Sequence, residues 1–273
     1  MTRLTDDDVK SISDTLDELD AMLREKAGRG LKSIACEAAG IPENMIDPRI
    51  FEIAVVPITS GLGVISRFSE SVRDACRWLG FESYVTDGTD VTGFADAVDK
   101  KASIIFMADD YQYVAYNTAA NRQADNSTGT AMGYVACLDA SAGGVKGKDV
   151  LVLGAGRVGS RAARLLTDKG ARVTIADIDL PKAEAVAASI PGVKATGDIP
   201  AAISSNSLIL NASPAHVDSE LIRDGAIISS PGVPHTFDEA AYAKATIIHD
   251  PLVIGTAAML MMSASYSQHG IIR

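Results

Sequence analysis

Cysteine, histidine and aromatic residues are scarce in this sequence of 273 residues. It contains three cysteines, four histidines and one tryptophan, and 5% of its residues are aromatic. Cys36, Cys76 and Cys137 lie far apart in apolar, helix-like stretches, where buried and reduced thiols are the usual state. No cluster of histidine, cysteine and acidic residues has the spacing of a metal site. We therefore expect neither a disulfide framework nor a bound metal.

Long hydrophobic runs and an excess of positive charge are also missing. The apolar run Leu252–Met262 is shorter than the roughly 18 residues that a membrane-spanning helix needs. The N-terminus carries the acidic run Asp6–Asp8 where a signal peptide would be basic and apolar, and the formal net charge is −10. Negative charge repels nucleic-acid phosphates and anionic lipids. We therefore predict a cytoplasmic protein that binds neither nucleic acid nor membranes.

Strand-like and helix-like stretches alternate along most of the chain, which is typical of an α/β protein. A helical lead-in over Thr5–Lys26 precedes strand-like runs at Phe51–Ile58 and Ser103–Met107. Alternation of such runs with helices predicts βαβ units and a parallel sheet. We therefore predict two domains. Residues 1–143 form a helical and α/β substrate domain with a small parallel sheet, and residues 144–273 form a Rossmann dinucleotide-binding domain whose last helix returns toward the first domain.

The clearest motif is the glycine-rich turn Gly154–Gly159. It follows the apolar run Asp149–Leu153 and opens a helix, which is the context of a dinucleotide-binding turn. Gly154 permits the tight turn, Gly156 lets the backbone approach a pyrophosphate, and Gly159 allows the helix to pack closely on the strand. The residues of this turn that we predict to contact the cofactor are Gly154, Gly156, Arg157, Val158 and Gly159.

An acidic residue follows at the expected distance from the glycines. Asp177 comes after the run Arg172–Ala176, about 20 residues beyond the turn, where a carboxylate accepts hydrogen bonds from the adenosine ribose. Its charge, together with that of Asp179, repels a 2′-phosphate, so the pattern favours NAD over NADP. The alternatives are a strand–turn–helix without a ligand and a site for S-adenosylmethionine.

Two further turns are expected on the cofactor side of the sheet. Asn211–Pro214 and Pro231–Pro234 each follow a strand-like run, and ligands of open parallel sheets bind beyond the carboxyl ends of strands. We therefore predict that Asn211, Ser213 and Pro231 line the nicotinamide half of the cofactor. Ordinary turn chemistry explains the same residues equally well.

Acidic residues at strand ends are candidates for binding a cationic substrate. Asp109 and Asp110 directly follow an apolar run, and Ser60 lies in the loop after an earlier one. His249 ends the last strand-like run, and Asp250 either caps the next helix or faces a substrate amine. The predicted catalytic residues are Asp109, Asp250 and His249, the last as a proton acceptor. The predicted substrate contacts are Leu4, Ser60, Asp109 and Asp250. The tyrosines that follow either wall a pocket or lie in a surface loop, namely Tyr111, Tyr113 and Tyr116.

The helical lead-in has two possible roles. It precedes the first strand-like run, so the sheet does not require it. A lid that excludes water from the active site would suit this position. A docked surface helix or a dimer arm fits the pattern as well.

Beyond these motifs, nearly the whole chain resembles the pyrrolysine synthases, the enzymes that complete pyrrolysine biosynthesis. The glycine-rich turn is shared by many dehydrogenases and is not specific for this family. The other stretches of sequence that carry the likeness are specific for it. The stretches that carry the likeness are MADDYQYVAYN (Met107–Asn117), NRQADNSTGTAMGYVACLDAS (Asn121–Ser141), KGKDVLVLGAGRVGSRAA (Lys146–Ala163) and HDPLVIGTAAMLMM (His249–Met262).

The resemblance implies a cytoplasmic, homodimeric enzyme that uses NAD and acts on 3-methyl-D-ornithine joined to the ε-amine of lysine by an isopeptide bond. It implies oxidation of the carbon that bears the terminal amine, hydrolysis of the imine to an aldehyde, and ring closure by the α-amine. The sequence lacks, at the matching place, the catalytic lysine of ordinary amino-acid dehydrogenases. Water, His249 or an aspartate is left as the proton acceptor.

The predicted two-domain layout is also similar to that of shikimate-type and amino-acid dehydrogenases. The turn Asn211–Pro214 is similar to that of the shikimate-type enzymes in particular. Another small amine or acid is therefore the alternative substrate. An anionic substrate would need basic residues near Ser60 and Asp109, where acidic residues predominate. A regulatory protein that binds NAD without turnover is the third interpretation.

Overall fold

The structure is a computed structural model that describes residues 4–268. Its helices are α1 (Asp6–Val9), α2 (Leu16–Ala27), α3 (Leu31–Ala38), α4 (Phe68–Trp78), α5 (Asp90–Asp99), α6 (Asn126–Ser141), α7 (Arg157–Asp168), α8 (Leu180–Ser189), α9 (Ile199–Ser205), α10 (Glu239–Lys244) and α11 (Val253–Gln268). Its strands are β1 (Glu52–Val56), β2 (Glu82–Val85), β3 (Ile104–Ala108), β4 (Tyr113–Asn117), β5 (Arg122–Asp125), β6 (Asp149–Leu153), β7 (Arg172–Ala176), β8 (Lys194–Thr196), β9 (Leu208–Asn211), β10 (Ile227–Ser230) and β11 (Thr246–His249). Short 3₁₀ turns cover Ile12–Asp14, Pro48–Ile50 and Ser219–Leu221. Over residues 4–268, no helix is both long and apolar enough to cross a membrane.

Packing divides the described chain into two compact units. Unit 1 comprises residues 4–20, 31–133 and 252–268, and unit 2 comprises residues 21–30 and 134–251. This division differs from the predicted boundary between residues 143 and 144. It differs because packing divides the chain within α6, between residues 133 and 134, and because α11 packs on α3 and β4 within unit 1. The last helix therefore belongs to the first unit and not to the nucleotide domain.

Unit 1 contains a five-stranded sheet in the order β2-β1-β3-β4-β5. The strands β1, β2 and β3 pair in parallel, as predicted, but β4 pairs antiparallel with both β3 and β5. The sequence did not indicate this hairpin, and Tyr113 and Tyr116 lie in β4 and not in a loop. The chain reverses over Asp109–Gln112, and strands joined by so short a turn pair antiparallel. The α/β class is confirmed, while the sheet is mixed.

The lead-in is not the single helix that its spacing predicted. The backbone N–H of Thr5 donates to the Asp8 carboxylate at 2.7 Å, which confirms the predicted start. The helix then breaks between Val9 and Leu16 around a 3₁₀ turn. In this break the Thr15 hydroxyl donates to the Ser11 carbonyl at 3.1 Å, and such local side-chain bonds compete with helical backbone bonds.

Unit 2 contains a six-stranded sheet in the order β11-β10-β9-β6-β7-β8, and all of its pairs are parallel. Counted from β6, this is the standard strand order of a Rossmann fold. Residues from β6, β9, β10 and β11 form one buried cluster that includes Leu151, Ile209, Ile228 and Ile247. The predicted Rossmann domain is confirmed, with β8 as a short edge strand that the sequence did not reveal.

Candidate active site

The glycine-rich turn joins β6 to α7 as predicted. Gly154 has a φ of 93°, a conformation that glycine adopts without strain. A Cβ atom on Gly159 would lie 1.8 Å from the carbonyl oxygen of Gly154, so α7 packs against the turn only because this position has no side chain. A Cβ atom on Gly156 would meet no atom within 4 Å. The space beside Gly156 is therefore open to a ligand.

The first turn of α7 has the character of an anion site. Gly156 precedes the helix and offers no side chain to bond the first backbone N–H groups. Arg157 is exposed and Val158 is half-buried at this end of the helix. The first N–H groups of a helix have no acceptor within the helix, carry partial positive charge and bind phosphate groups. These residues therefore fit the pyrophosphate of a dinucleotide.

Asp177 lies directly beside the glycine-rich turn. One of its carboxylate oxygens accepts the N–H of Ala155 at 2.7 Å, and the other accepts the N–H of Asp179 at 2.9 Å. Each carboxylate oxygen has a second lone pair that can accept a ribose hydroxyl. Asp179 pairs with Lys182 at 2.9 Å. The side chain that the sequence assigned to the ribose is thus held next to the turn by backbone hydrogen bonds.

Asn211 at the end of β9 is fully buried and bonded within the protein. Its amide nitrogen donates to the hydroxyl of Thr236 at 2.9 Å and to that of Ser230 at 3.3 Å. Its amide oxygen accepts the N–H of Ser213 at 3.2 Å. The Asn211 side chain therefore links the segments that follow β9 and β10 through hydrogen bonds. These bonds give it a structural role that needs no cofactor.

The predicted cofactor turns meet at the carboxyl edge of this sheet. A Cβ atom on Gly154 would lie 2.9 Å from the carbonyl oxygen of Ala212, and one on Gly232 would lie 2.3 Å from that of Ser213. The turn after β9 is therefore in close contact with both neighbouring turns. Pro231 is half-buried beside Gly232. The structure brings together Gly154, Ser213 and Pro231, as the sequence predicted.

His249 lies at the end of β11 with one ring nitrogen bonded. Its Nδ1 atom is 2.8 Å from the carbonyl oxygen of Ser230. Because a carbonyl oxygen only accepts, Nδ1 donates, and in the neutral ring Nε2 is then the nitrogen that accepts a proton. The ring centroids of His249 and His235 are 4.4 Å apart, and His235 Nε2 is 3.1 Å from the Tyr242 hydroxyl. Burial, and then the nearby His249, lower the pKa of His235.

Asp250 is held by a tyrosine that the sequence did not single out. The hydroxyl of Tyr134 accepts the N–H of Asp250 at 2.9 Å and donates to the carbonyl oxygen of the same residue. Burial raises the pKa of Tyr134 well above its usual value. The helix α11 begins at Val253, so Asp250 is not its N-cap residue. Tyr134 lies within an apolar helical stretch, and nothing in its sequence context signalled this contact.

Asp109 directly follows β3 and organises the turn into β4. Its carboxylate accepts the N–H groups of Tyr111 and Gln112, both at 2.7 Å. Its own N–H donates to the carbonyl of Gln112 at 2.8 Å. Asp109 therefore holds the β-turn between β3 and β4 through the amides of that turn. Its catalytic role stays a prediction.

Asp110 connects this turn to the loop that follows β1. Its carboxylate accepts the N–H of Leu62 at 2.8 Å, so the loop that contains Ser60 lies beside the β3–β4 turn. The Asp6 carboxylate accepts the N–H of Ser66 at 2.9 Å at the other end of this loop. Leu4 is half-buried just before α1. The structure thus brings Ser60 near Asp110, as strand topology predicted.

Asp90 is a residue of this region that the sequence did not suggest. Its carboxylate accepts the N–H of Thr59 at 2.8 Å and the hydroxyl of Thr59 at 2.5 Å, and these bonds lower the pKa of Asp90. Its φ of 53° is in the left-handed region, which is uncommon for a residue other than glycine. The sequence signal that could have indicated Asp90 is its position as an acidic residue at the start of a helix. Asp90 and Asp110 together anchor the loop after β1.

A Rossmann unit with an open glycine-rich turn, joined in one chain to a second α/β unit, defines a dehydrogenase with a nicotinamide dinucleotide cofactor. Residues 116–264 match the alanine dehydrogenase/PNT C-terminal domain. The shikimate dehydrogenase of Aquifex aeolicus has a similar fold, with a TM-score of 0.56 and 17% identity over 84% of this chain and 100% of that chain. The quinate dehydrogenase of Corynebacterium glutamicum, solved in complex with NAD, has a TM-score of 0.53. It is 16% identical, and the match covers 80% of this chain and 99% of that chain.

The N-terminal unit narrows this class to one family. Residues 8–124 match the pyrrolysine biosynthesis protein PylD, N-terminal domain. The pyrrolysine synthase of Methanosarcina acetivorans is 34% identical over 264 residues, which cover 95% of this chain and 98% of that protein. The chain belongs to the pyrrolysine synthase family, and it is an oxidoreductase of pyrrolysine biosynthesis.

Proposed function

We propose that this enzyme uses NAD⁺ to oxidise the terminal primary amine of 3-methyl-D-ornithyl-Nε-lysine, after which the product closes to the pyrroline ring of pyrrolysine. The observation that carries this proposal is the 34% identity to a pyrrolysine synthase over 95% of the chain. The glycine-rich turn, with open space beside Gly156, supports a dinucleotide as the oxidant. The acidic loops of unit 1, where Asp109 and Asp110 lie, suit a substrate with several amines.

The proposed chemistry has three steps that balance. NAD⁺ supplies the hydride acceptor, and the carbon that bears the neutral amine loses a hydride and the amine loses a proton, which leaves an imine. Water adds to the imine and releases ammonia, which leaves an aldehyde. The α-amine then attacks the aldehyde and loses water, and the new C=N bond closes the five-membered ring.

Each proposed residue role follows from the chemistry of its side chain. The reacting amine must be neutral, and Nε2 of His249 is the atom that takes its proton, since Nδ1 donates to Ser230. Asp109 and Asp250 orient the ammonium groups of the substrate through charge-assisted hydrogen bonds. Leu4 and Ser60 are the remaining proposed substrate contacts. These roles rest on the positions of the residues in their own units.

The decisive experiment supplies the purified protein with NAD⁺ and the synthetic isopeptide and follows both NADH absorbance and product mass. We expect NADH, ammonia and pyrrolysine in equal amounts. Shikimate, quinate and single amino acids serve as comparison substrates under the same conditions. NADH formation with one of these and none with the isopeptide would replace the proposal with a shikimate-type or amino-acid-type dehydrogenase. Binding of NAD⁺ without turnover of any substrate would indicate a regulatory protein.

A further inference from the structure

The loop that follows β10 in unit 2 carries His235 on a firmly anchored stretch of chain. The hydroxyl of Thr236, the next residue, accepts a hydrogen bond from the buried amide of Asn211 at 2.9 Å. Phe237 is buried in the cluster that β6, β9, β10 and β11 share. Because its two following neighbours are fixed in this way, the backbone presents His235 at a defined place.

The ring of His235 contacts three other rings. Its centroid lies 5.9 Å from that of Phe237, 5.7 Å from that of Tyr242 and 4.4 Å from that of His249. Its Nε2 atom is 3.1 Å from the Tyr242 hydroxyl, which is a hydrogen-bonding distance. Packing and this bond together restrict the rotation of the His235 side chain. The ring is therefore a rigid surface against which His249 lies.

Tyr242 is itself held by a lysine from the part of α2 that belongs to unit 2. The Nζ atom of Lys26 donates to the carbonyl oxygen of Ile247 at 2.7 Å and lies 5.5 Å from the centroid of the Tyr242 ring. An ammonium group at this distance is attracted to the face of the ring. Since Ile247 belongs to β11, the strand that ends in His249 also supports the tyrosine that orients His235.

The orientation of the His249 ring needs more than its bond to Ser230. Pairing of β10 with β11 places the two residues opposite each other, and Nδ1 donates to the Ser230 carbonyl at 2.8 Å. A hydrogen bond at one atom does not fix the plane of the ring, because the χ2 torsion of histidine is broad and roughly two-fold. A half-turn about χ2 would put a carbon atom in the place of Nδ1. A ring packed against the face of His249 opposes this rotation.

His235 is also uncharged where a charge would oppose the protonation of His249. Burial, and then the nearby His249, lower the pKa of His235 below its ordinary 6.5. A second cation beside His249 would disfavour the charged form of that residue. At neutral pH, His235 is therefore a neutral ring that packs against His249 without repelling the proton that His249 takes up.

We propose that His235 is a positioning residue for His249: its ring packs against the His249 imidazole and keeps Nδ1 bonded to the Ser230 carbonyl, so that Nε2 remains the proton-accepting nitrogen. Such support from a neighbour whose own rotation is restricted is what an oriented base requires. The inference rests on the proposed function where it gives Nε2 a use, namely taking the proton of the substrate amine. The tautomer that His235 maintains can be observed without any substrate.

The first test observes the His249 tautomer by ¹⁵N NMR of the histidine side chains of the full chain, without substrate or cofactor. The chain has four histidines, and the signal that His249→Gln removes is that of His249. We expect the Nδ1–H tautomer alone in the wild type and in His235→Phe, which keeps a flat ring. We expect a mixture of both tautomers in His235→Ala. His216→Ala is the matched control, because His216 is an exposed histidine of the same unit.

Two results of this measurement would overturn the proposal. The first is a pure Nδ1–H tautomer in His235→Ala, which would show that the bond to Ser230 suffices. The second is a mixture in His235→Phe as large as that in His235→Ala, which would show that packing of a ring is not the cause. Circular dichroism and melting temperature establish that each variant folds.

Turnover of the isopeptide with NAD⁺ then separates this inference from the proposed function. We expect His235→Ala to reduce kcat roughly tenfold with KM nearly unchanged, because a misplaced base slows the reaction without weakening substrate binding. His235→Phe is expected to restore kcat to near the wild-type value. An equal loss of kcat in both variants overturns positioning by packing. A mixed tautomer in His235→Ala with wild-type kcat leaves the positioning in place and removes the proposed role of His249 as the proton acceptor.

Discussion

Two glycines of the same turn carry different physical constraints. A Cβ atom at Gly159 would overlap the carbonyl oxygen of Gly154, whereas one at Gly156 would project into open space. We expect Gly159→Ala to lower the free energy of unfolding by about 1–3 kcal/mol, the usual cost of overpacking. Gly156→Ala is expected to fold normally but to bind NAD⁺ more weakly, because its methyl group occupies the place of the pyrophosphate.

Urea unfolding without cofactor and calorimetric titration with NAD⁺ separate these two effects. The pair serves as its own control, because each variant adds one methyl group to the same turn. If Gly156→Ala binds NAD⁺ as the wild type does, the pyrophosphate does not lie against this position.

We expect Asp177 to set a preference for NAD over NADP, because its charge repels a 2′-phosphate. Asp177→Asn keeps an oxygen that can accept the N–H of Ala155 but removes the charge that opposes a 2′-phosphate. We expect this variant to bind NAD⁺ roughly tenfold more weakly and to narrow the gap between NAD⁺ and NADP⁺. Fluorescence titration with both cofactors measures the change, with Asp224→Asn, an exposed aspartate of the same unit, as the control. An unchanged ratio of affinities would assign the discrimination to other residues.

His249 is the proposed proton acceptor, and its role predicts a loss of turnover when the imidazole is replaced. We expect His249→Gln to reduce kcat by roughly 100-fold, because an amide cannot take the proton of the reacting amine. NAD⁺ affinity is expected to stay within twofold of the wild type, roughly 0.4 kcal/mol. His216→Gln is the control, since His216 is an exposed histidine of the same unit. A variant that turns over at the wild-type rate would show that another group takes the proton.

The part of α6 that lies in unit 1 packs on α11 through small residues. A Cβ atom on Gly133 would lie 2.8 Å from Cγ2 of Ile254 and 3.1 Å from its carbonyl oxygen. We expect Gly133→Ala to lower the free energy of unfolding by up to about 2 kcal/mol, because the overpacking cost exceeds the gain of about 1 kcal/mol in helix propensity.

Urea unfolding measures this change against Gly197→Ala. A Cβ atom on Gly197 would have its nearest neighbour at 3.5 Å, which is an ordinary contact. A variant at Gly133 that is as stable as Gly197→Ala would mean that the two helices separate at little cost.

The stability of the whole molecule is expected to decrease in two stages as the pH falls. Folding lowers the pKa of His235 below its ordinary 6.5, so the stability that this residue contributes is present above that pH and is lost below it. Burial raises the pKa of Asp139, but its bonds to Lys169 and to the Val145 N–H lower the pKa by more than burial raises it. The pKa of Asp139 therefore lies below its ordinary 3.8. Its contribution is therefore lost as the pH falls below 3.8.

Urea unfolding over a series of pH values tests this expectation. His235→Gln should abolish the first decrease and leave the second, whereas Asp139→Asn should reduce the second alone. If the first decrease persists in His235→Gln, its origin lies in other groups.

Local signals in the sequence predicted the nucleotide unit, apart from its short edge strand β8. Strand-like runs, the glycine spacing and Asp177 predicted a Rossmann domain. In a parallel βαβ unit, periodicity indicates the strands and helices, and each ligand-binding turn directly follows a strand. The charges, the thiols and the start of α1 could be predicted in the same way. The family likeness rested on stretches of sequence that need no coordinates to compare.

Specific hydrogen bonds and packing contacts account for what the sequence did not predict. In the β3–β4 hairpin, Asp109 accepts hydrogen bonds from two amides of its own turn. An acidic residue after a strand does not by itself predict such a turn. Tyr134 meets Asp250, and His235 meets His249, across long stretches of chain. The placement of α11 in unit 1 follows from packing on α3 and β4. Periodicity reports which face of an element is apolar, but the partner of that face is selected by shape and burial when the chain folds.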